Sequence, residues 1–542
     1  MTSEKWSITL GRAVLALAAI GIILFVILAC LGFSPRQMAQ MFSHPITGGT
    51  AAVPAGAIDE HPSFGLANYS VLGAYLLGML AIGWFSSRRI KGARDFFIAG
   101  GRLNYVIVGI SLLGTYLSAL TVTGLPGAAY GEHNWKFMIQ LPFLIFTAVV
   151  ITRLVLPRYR EAGVISVYEY LEQRIHVSAR LIASLGFIAL SIGRMGLLLY
   201  LPALAFSTVT GFPLPLCIVI MGLFITIYTV MGGMEAVVWT DALQVVIFVF
   251  AAFLTLAYIF RDIGVARFIE VAMQHNKLQL VEPSLDITRI TSLWLILETI
   301  FQTIRIYGTQ QDMTQRYMTT GSTVKANRSV WISILAYVPL AFLFYFIGTA
   351  LFVFFKLNPV EALPEKADGI YPFFIMHRLP AGVAGLMIAA IFAAAMSSID
   401  SLMNSTSTVF VEDFLKRFGK GEDSDVAYLR KARALTVLLG FVAVGMGLMF
   451  MGTQYAQVVW GKLMAVSTNG TLGLMALAFM PFRVNKWAAI TGFCAATACL
   501  FVMMGSGINY LLWPVIGNAI CFVVAIAAGP LFETQAQAPA EG

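Results

Sequence analysis

Apolar runs of about 20 residues, the length an α-helix needs to cross a bilayer, recur along almost the whole chain. Such runs cannot be folded around one water-soluble core, so they predict an all-α, polytopic membrane protein. They fall near 11–32, 66–86, 104–129, 136–156, 178–208, 213–231, 235–260, 288–308, 329–356, 376–412, 434–451, 455–480, 487–505 and 508–530, about fourteen spans in all. None has the period-two alternation of a membrane β-barrel. Composition agrees. Hydrophobic residues make up 59% and charged residues only 11%, whereas soluble domains carry about 25% charged residues.

The net charge is +8. It does not point to nucleic acid, because the basic residues cluster between the apolar runs. Ser87-Arg88-Arg89-Ile90-Lys91, Arg158-Tyr159-Arg160, Gln315-Arg316, Lys416-Arg417 with Lys420, and Arg430-Lys431 with Arg433 fall in alternate connections. The excess of Lys and Arg in cytoplasmic loops predicts that these lie inside, with both termini cytoplasmic, in a cell inner membrane. The run Val14–Leu31 is long for a signal peptide and reads as a retained first helix. Residues 1–62 are then an extra helix and extracytoplasmic loop, 63–530 the main domain, and 531–542 a disordered cytoplasmic tail. The five cysteines lie in apolar stretches without a CxxC pair, and the six histidines show no ligand spacing. Neither a disulfide framework nor a metal cluster is expected.

A charged side chain at bilayer depth costs at least about 2.5–3.5 kcal/mol on insertion scales, so the few present are informative: Arg194, Asp241, Glu298, Arg305, Asp400 and Lys462. Two segments add polar groups to them. Residues 111–127 combine Gly114, Gly124, Pro126 and Gly127 with the hydroxyls of Ser111, Thr115, Ser118, Thr121 and Thr123. A helix broken there frees backbone carbonyls, which is tolerated at membrane depth only where they are buried or line a cavity. Carbonyls and hydroxyls together suit a hard alkali cation. In residues 393–408, Ala394, Ser397, Ser398, Ser401, Ser405 and Thr408 recur at helical spacing, with Asp400 and Asn404 beside them. A stripe of small residues alone is a packing seam; one that carries a carboxylate asks for a cation. The spans at 104–260 and 288–480 each read as a set of five. An odd-numbered unit repeated once must be inverted in the membrane, the architecture of many secondary transporters.

Three patterns resemble the sodium:solute symporter family. One is Gly211-x-x-Leu214 followed by an apolar stretch to Tyr228-Thr229-x-x-Gly232-Gly233-Met234-x-Ala236 and Trp239-Thr240-Asp241-x-x-Gln244. The others are Gln315-Arg316-Tyr317 and the Ala-Ala-Met-Ser-Ser stretch ending at Ser398. The resemblance implies a LeuT-like core of inverted five-helix repeats with extra flanking helices, in which 104–129 and 288–308 are the broken first and sixth core helices. It implies a sodium site made of Gly114, Leu117, Ala394, Ser397 and Ser398, the first three through carbonyls. The sialic acid branch of the family further implies a second sodium site at Asp241, Ser397, Asp400 and Ser401. Position 400 is Asp where that branch has Ser, so two carboxylates face one small volume and repel unless a cation or proton lies between them.

The same branch implies a substrate site. Ile192-Gly193-Arg194 matches the arginine that meets the substrate carboxylate, Ser118 and Thr121 match hydroxyl positions, Tyr116 replaces a smaller Thr, and Gln140 lies one position out of register. Arg305 has no counterpart and adds a second positive charge if it faces the pocket. A guanidinium pairs well with a carboxylate, so the expected activity is sodium-coupled symport of a small organic anion, sialic acids first, by alternating access. Sugars, monocarboxylates and vitamins are the alternatives. No nucleotide loop or catalytic cluster supports an enzyme. No signalling module follows Phe532, so a transporter-like sensor would act through a partner chain. A channel is disfavoured by a sealed midplane site. The partners implied are sodium ions, the solute and lipid; oligomeric state is not legible.

Overall fold

The computed structural model describes residues 65–533 apart from 118, 132–134, 290, 361–362, 365–366, 420–423 and 452–468. The expected first helix at 11–32, Ser118, Lys462, most of the span at 455–480 and the tail from 534 onward lie outside the described residues. Among the described residues the regular structure is helical, with one isolated parallel bridge between Leu103 and Thr320. Nine helices there are long and apolar enough to cross a membrane.

The helices are labelled α1 (Leu66–Ser87), α2 (Tyr105–Tyr116), α3 (Ala119–Tyr130), α4 (Lys136–Ala162), α5 (Val177–Thr210), α6 (Leu214–Ile263), α7 (Ser292–Thr309), α8 (Gln311–Met318), α9 (Thr323–Leu357), α10 (Val383–Val409), α11 (Asp425–Phe450), α12 (Lys486–Gly505) and α13 (Leu512–Glu533). The expected span at 104–129 is two helices. Leu117 (φ −80°, ψ 132°) is extended between α2 and α3; its N–H still donates to the Leu113 carbonyl (2.9 Å), and the carbonyls after Leu113 lose their helical donors. A second break falls at Gln310 (φ −90°, ψ 130°), between α7 and α8. The spans expected at 213–231 and 235–260 are two helices that meet within α6 at a kink, where Gly233 (φ 52°, ψ −150°) leaves the helical conformation. No L side chain fits there: a Cβ would stand 2.7 Å from the Phe96 carbonyl oxygen.

All 27 residues of α10 are buried. Its stripe of Ala and Ser lets α2, α5, α6 and α8 pack against it, which puts a long helix rich in hydroxyls at the bundle's centre. Asn68 fixes one end of this arrangement: its Oδ1 accepts from the backbone N–H of Gly382 (2.6 Å) and Gly385 (2.9 Å) at the start of α10.

At the other end Asp413, just beyond α10, is fully buried. It accepts from both Nε (2.9 Å) and Nη2 (2.7 Å) of Arg180 on α5, and from the hydroxyls of Ser166 (2.8 Å) and Ser184 (2.5 Å). A buried ion pair is strongly destabilised when one partner is removed, by about 3–5 kcal/mol, because the other charge is left unanswered. Asp413→Ala therefore lowers the thermal midpoint of the detergent-solubilised protein sharply, while Asp286→Ala, at an exposed position, leaves it unchanged within error. Equal midpoints for the two variants would remove the Asp413 cluster as a structural anchor.

Candidate functional site

The break at Leu117 lies against α10. The carbonyl of Gly114, freed by the break, accepts from Ser397 Oγ at 3.2 Å, and the same hydroxyl is 3.2 Å from the Ala394 carbonyl. Leu117 is fully buried beside them. Most hydroxyls of α10 bond back to the preceding turn, as Ser and Thr do in helices: Ser405 to the Ser401 carbonyl (2.7 Å), Thr408 to that of Asn404 (2.9 Å), and Ser401 to that of Ser397. Ser398 differs. Its Oγ is buried and has no hydrogen-bond partner, a state it shares on α10 with Thr406 Oγ1 farther along the helix, and one that costs about 1–3 kcal/mol unless a ligand answers it. The fit to an oxygen-seeking cation is therefore good: carbonyls, hydroxyls, and one buried oxygen unused.

A second cluster lies one turn further along α10. Asp241 on α6 is fully buried. Its Oδ2 accepts from Ser111 Oγ (2.6 Å) on α2 and from Arg316 Nη2 (2.8 Å) on α8; its Oδ1 has no partner. Arg316 also donates through Nε to Ser111 Oγ (2.9 Å) and through Nη2 to Ser401 Oγ. Sequence reading takes Arg316 for a marker of a cytoplasmic loop. The structure corrects this: Arg316 is fully buried in α8, and its guanidinium sits among the residues expected to form the second cation site. Asp400 turns the other way. Its Oδ2 accepts from Tyr228 Oη (2.8 Å) and Thr240 Oγ1 (3.4 Å), and its Oδ1 from Ser401 Oγ (3.2 Å). The repulsion expected between the two carboxylates is thus met by a tethered arginine on Asp241 and by hydroxyl donors on Asp400.

The residues expected to bind solute are divided between the two breaks: Tyr116 and Thr121 flank the first, and Arg305 lies just before the second. Arg194 on α5 stands 3.9 Å from the Asp312 carboxylate on α8. Arg305 on α7 is 1% exposed; its Nε donates to Gln302 (2.9 Å), and its Nη2 has no partner. Arg194, Glu298 and Asp312 act on it electrostatically. Tyr116, in the last turn of α2, packs edge-on against Tyr337 (4.8 Å between ring centres) and tilted against Tyr307 (5.7 Å). Gln140 accepts from Thr299 Oγ1 on α7 (2.6 Å). Thr121 is half-buried on α3. Arg194 and Arg305 thus share Asp312 and one neighbourhood, whereas Gln140 engages α7 two turns before Arg305.

Sequence reading missed Arg316, Asp312 and Gln302. Arg316 and Asp312 belong to an eight-residue helix, Gln-Asp-Met-Thr-Gln-Arg-Tyr-Met, too short and polar to register as a span. The available signal was its length: a loop of that composition adjoining a broken helix can fold back into the bundle.

Comparison with known proteins places the geometry. The sequence pattern of the sodium:solute symporter family matches residues 96–495. The chain is 33% identical over 484 residues to the sodium/sialic acid symporter NanT of Aliivibrio fischeri, covering 88% of this chain and 95% of that protein. It is 33% identical over 485 residues to the sodium/sialic acid symporter SiaT of Proteus mirabilis, covering 86% and 96%. It superposes on a solved sodium-coupled sialic acid symporter, in a substrate-bound outward-open state, with a TM-score of 0.82 at 31% identity, covering 87% of this chain and 98% of the other. A chain with two broken helices packed on a buried serine-rich helix, and with this extent of likeness, is a multi-pass membrane protein of the sodium:solute symporter family.

Proposed function

We propose that this protein imports a small organic anion, a sialic acid first among them, by symport with sodium. The observation that carries the reading is the meeting of Gly114, Ala394 and Ser397 at the break in α2, beside a buried Ser398 hydroxyl that nothing else uses. Sodium would be held there by the carbonyls of Gly114, Leu117 and Ala394 and the hydroxyls of Ser397 and Ser398. It would tie α2 to α10 in the outward-facing form and so favour solute binding nearby. The likeness to two sodium/sialic acid symporters over most of their length supports the choice of solute. The paired arginines support a carboxylate: Arg194 near enough to exchange Asp312 for a substrate anion, Arg305 with a donor to spare. Tyr116, Ser118, Thr121 and Gln140 complete the proposed solute site.

The architecture is read as about fourteen helices around inverted five-helix repeats, with residues 63–530 as the symporter domain, both termini cytoplasmic and the inner membrane as location. Each positive charge carried inward then gains about 2.3 kcal/mol per 100 mV of inside-negative potential. Asp241, Ser397, Asp400 and Ser401 are proposed as a second cation site, which sodium enters when Arg316 releases Asp241 and Ser401, with Asp400 as an additional carboxylate that takes up sodium or a proton.

Two outcomes follow. In liposomes of the purified protein, labelled N-acetylneuraminic acid accumulates under an inward sodium gradient, does not under an equal potassium gradient, and ceases to accumulate in Arg194→Ala. Equal uptake in both salts would refute sodium coupling, and no uptake in either would refute sialic acid as the solute. Asp400→Ser leaves uptake sodium-driven but flattens its dependence on pH, because the remaining charges of the cluster, Asp241 and Arg316, already answer each other. A pH profile identical to that of the native chain would exclude Asp400 as the titrating group.

A further inference from the structure

Away from the solute site, the end of the bundle where α4 stops, α5 and α12 begin and α13 finishes carries a cleft of ≈ 550 Å³. Arg174, His176, Arg483, Lys486, Trp487 and Phe532 line it. Its acidic member, Glu172, is already engaged. Arg180 Nη1 donates to one of its oxygens at 2.7 Å and Arg417 Nε to the other at 2.8 Å. Partial burial alone would raise this carboxyl's pKa, but those two arginines outweigh it and hold the pKa below the ordinary value. The cleft therefore presents an excess of positive charge.

Its walls are built. Arg174 is pinned by donating through Nε to the Ala478 carbonyl (2.9 Å) and through Nη2 to that of Met480 (2.5 Å). Lys486 opens the 20-residue helix α12, so the positive end of the helix dipole points the same way. A neighbouring cleft of ≈ 400 Å³ shares Arg174 and adds Arg158, whose Nη1 is buried without a hydrogen-bond partner. One arginine donor is thus unused in the adjoining cleft, and guanidinium groups favour an anion with several acceptor oxygens.

The depth of the cleft identifies which anion. Trp487 and Phe482 are about half exposed beside Arg483 and Lys486, and the apolar body of α12 begins immediately after them. Tryptophan and cations at the start of an apolar span mark the headgroup level of a membrane, where basic pockets between helices take lipid phosphates.

We propose that this cleft binds the phosphate of an anionic phospholipid headgroup, with Arg483 and Lys486 as its principal contacts and Trp487 against the glycerol and upper acyl region. The chemistry shared with a free phosphate ion is separated by the test. Binding of dioleoyl phosphatidylglycerol to the full chain in detergent is measured by native mass spectrometry, with dioleoyl phosphatidylcholine as the neutral comparison. R483Q/K486Q weakens phosphatidylglycerol binding about tenfold or more, while R483K/K486R, which keeps the charges, retains it. R267Q/R289Q, the same charge change at exposed positions on the opposite end, also retains it. Phosphatidylglycerol that stays bound in excess inorganic phosphate assigns the cleft to lipid; displacement by inorganic phosphate assigns it to the free ion and overturns the lipid reading. Unchanged binding in R483Q/K486Q, or equal loss in R267Q/R289Q, would overturn the site itself.

Discussion

The guanidinium of Arg316 sits buried between α2, α6 and α10, on the short helix α8. Taking it and Asp241 out of water costs several kcal/mol per ion, returned only if geometry is good and the remaining donors are used. Here they are used: Arg316 reaches Asp241, Ser111, Ser401 and the Asp312 carbonyl. That demand forces α8 to fold back into the bundle, which in turn requires the chain to break at Gln310. The break at Leu117 gives α2 the matching discontinuity. Both breaks are thus fixed by polar contacts to α6 and α10, and these contacts bring the proposed cation and solute residues to one level.

A cluster of this kind is suited to switching. Asp241 has one oxygen on Arg316 and one with no partner, so a cation arriving from outside can be accommodated without breaking the whole network. Asp400 is surrounded by the hydroxyls of Tyr228, Thr240 and Ser401, which can answer either an ionised or a protonated carboxyl. The two carboxylates are in different surroundings, and Arg316 bonds to Asp241. Movement of α8 would therefore alter the field at both, which links Asp312, beside Arg194, to Asp241 and Asp400 through a single short helix.

Much of this was legible in the sequence because membrane physics simplifies the reading. Apolar length anticipates the nine helices that, among the described residues, are long and apolar enough to cross a membrane, and the stripe Ala394, Ser397, Ser398, Ser401 is visible as helical spacing and turns up on a helix with no exposed residue. The weakness of residues 111–127 announced a break, and the structure puts it at Leu117 rather than at the Gly124–Gly127 cluster, which stays helical in α3. The misreading of Arg316 has a physical cause. Positive residues near span ends mark cytoplasmic loops on average, but the rule is blind to a helix of eight residues whose arginine finds a buried aspartate 75 positions earlier. Partnerships of that range, like those of Arg180 with Asp413 and of Glu235 with Arg89 and Arg102, depend on tertiary packing that no local spacing encodes.

The account rests on the unused Ser398 hydroxyl being a ligand for sodium. Its most direct test is the thermal midpoint of the purified protein titrated with sodium chloride and, separately, potassium chloride. A ligand that binds only the native state stabilises it by about 2.7 kcal/mol at one hundred times its dissociation constant. The midpoint is predicted to rise saturably with sodium and not with potassium. That rise should vanish in Ser398→Ala and persist in Ser405→Ala, whose hydroxyl is spent on the helix backbone. Identical responses to the two salts, or a full sodium response in Ser398→Ala, would contradict the account.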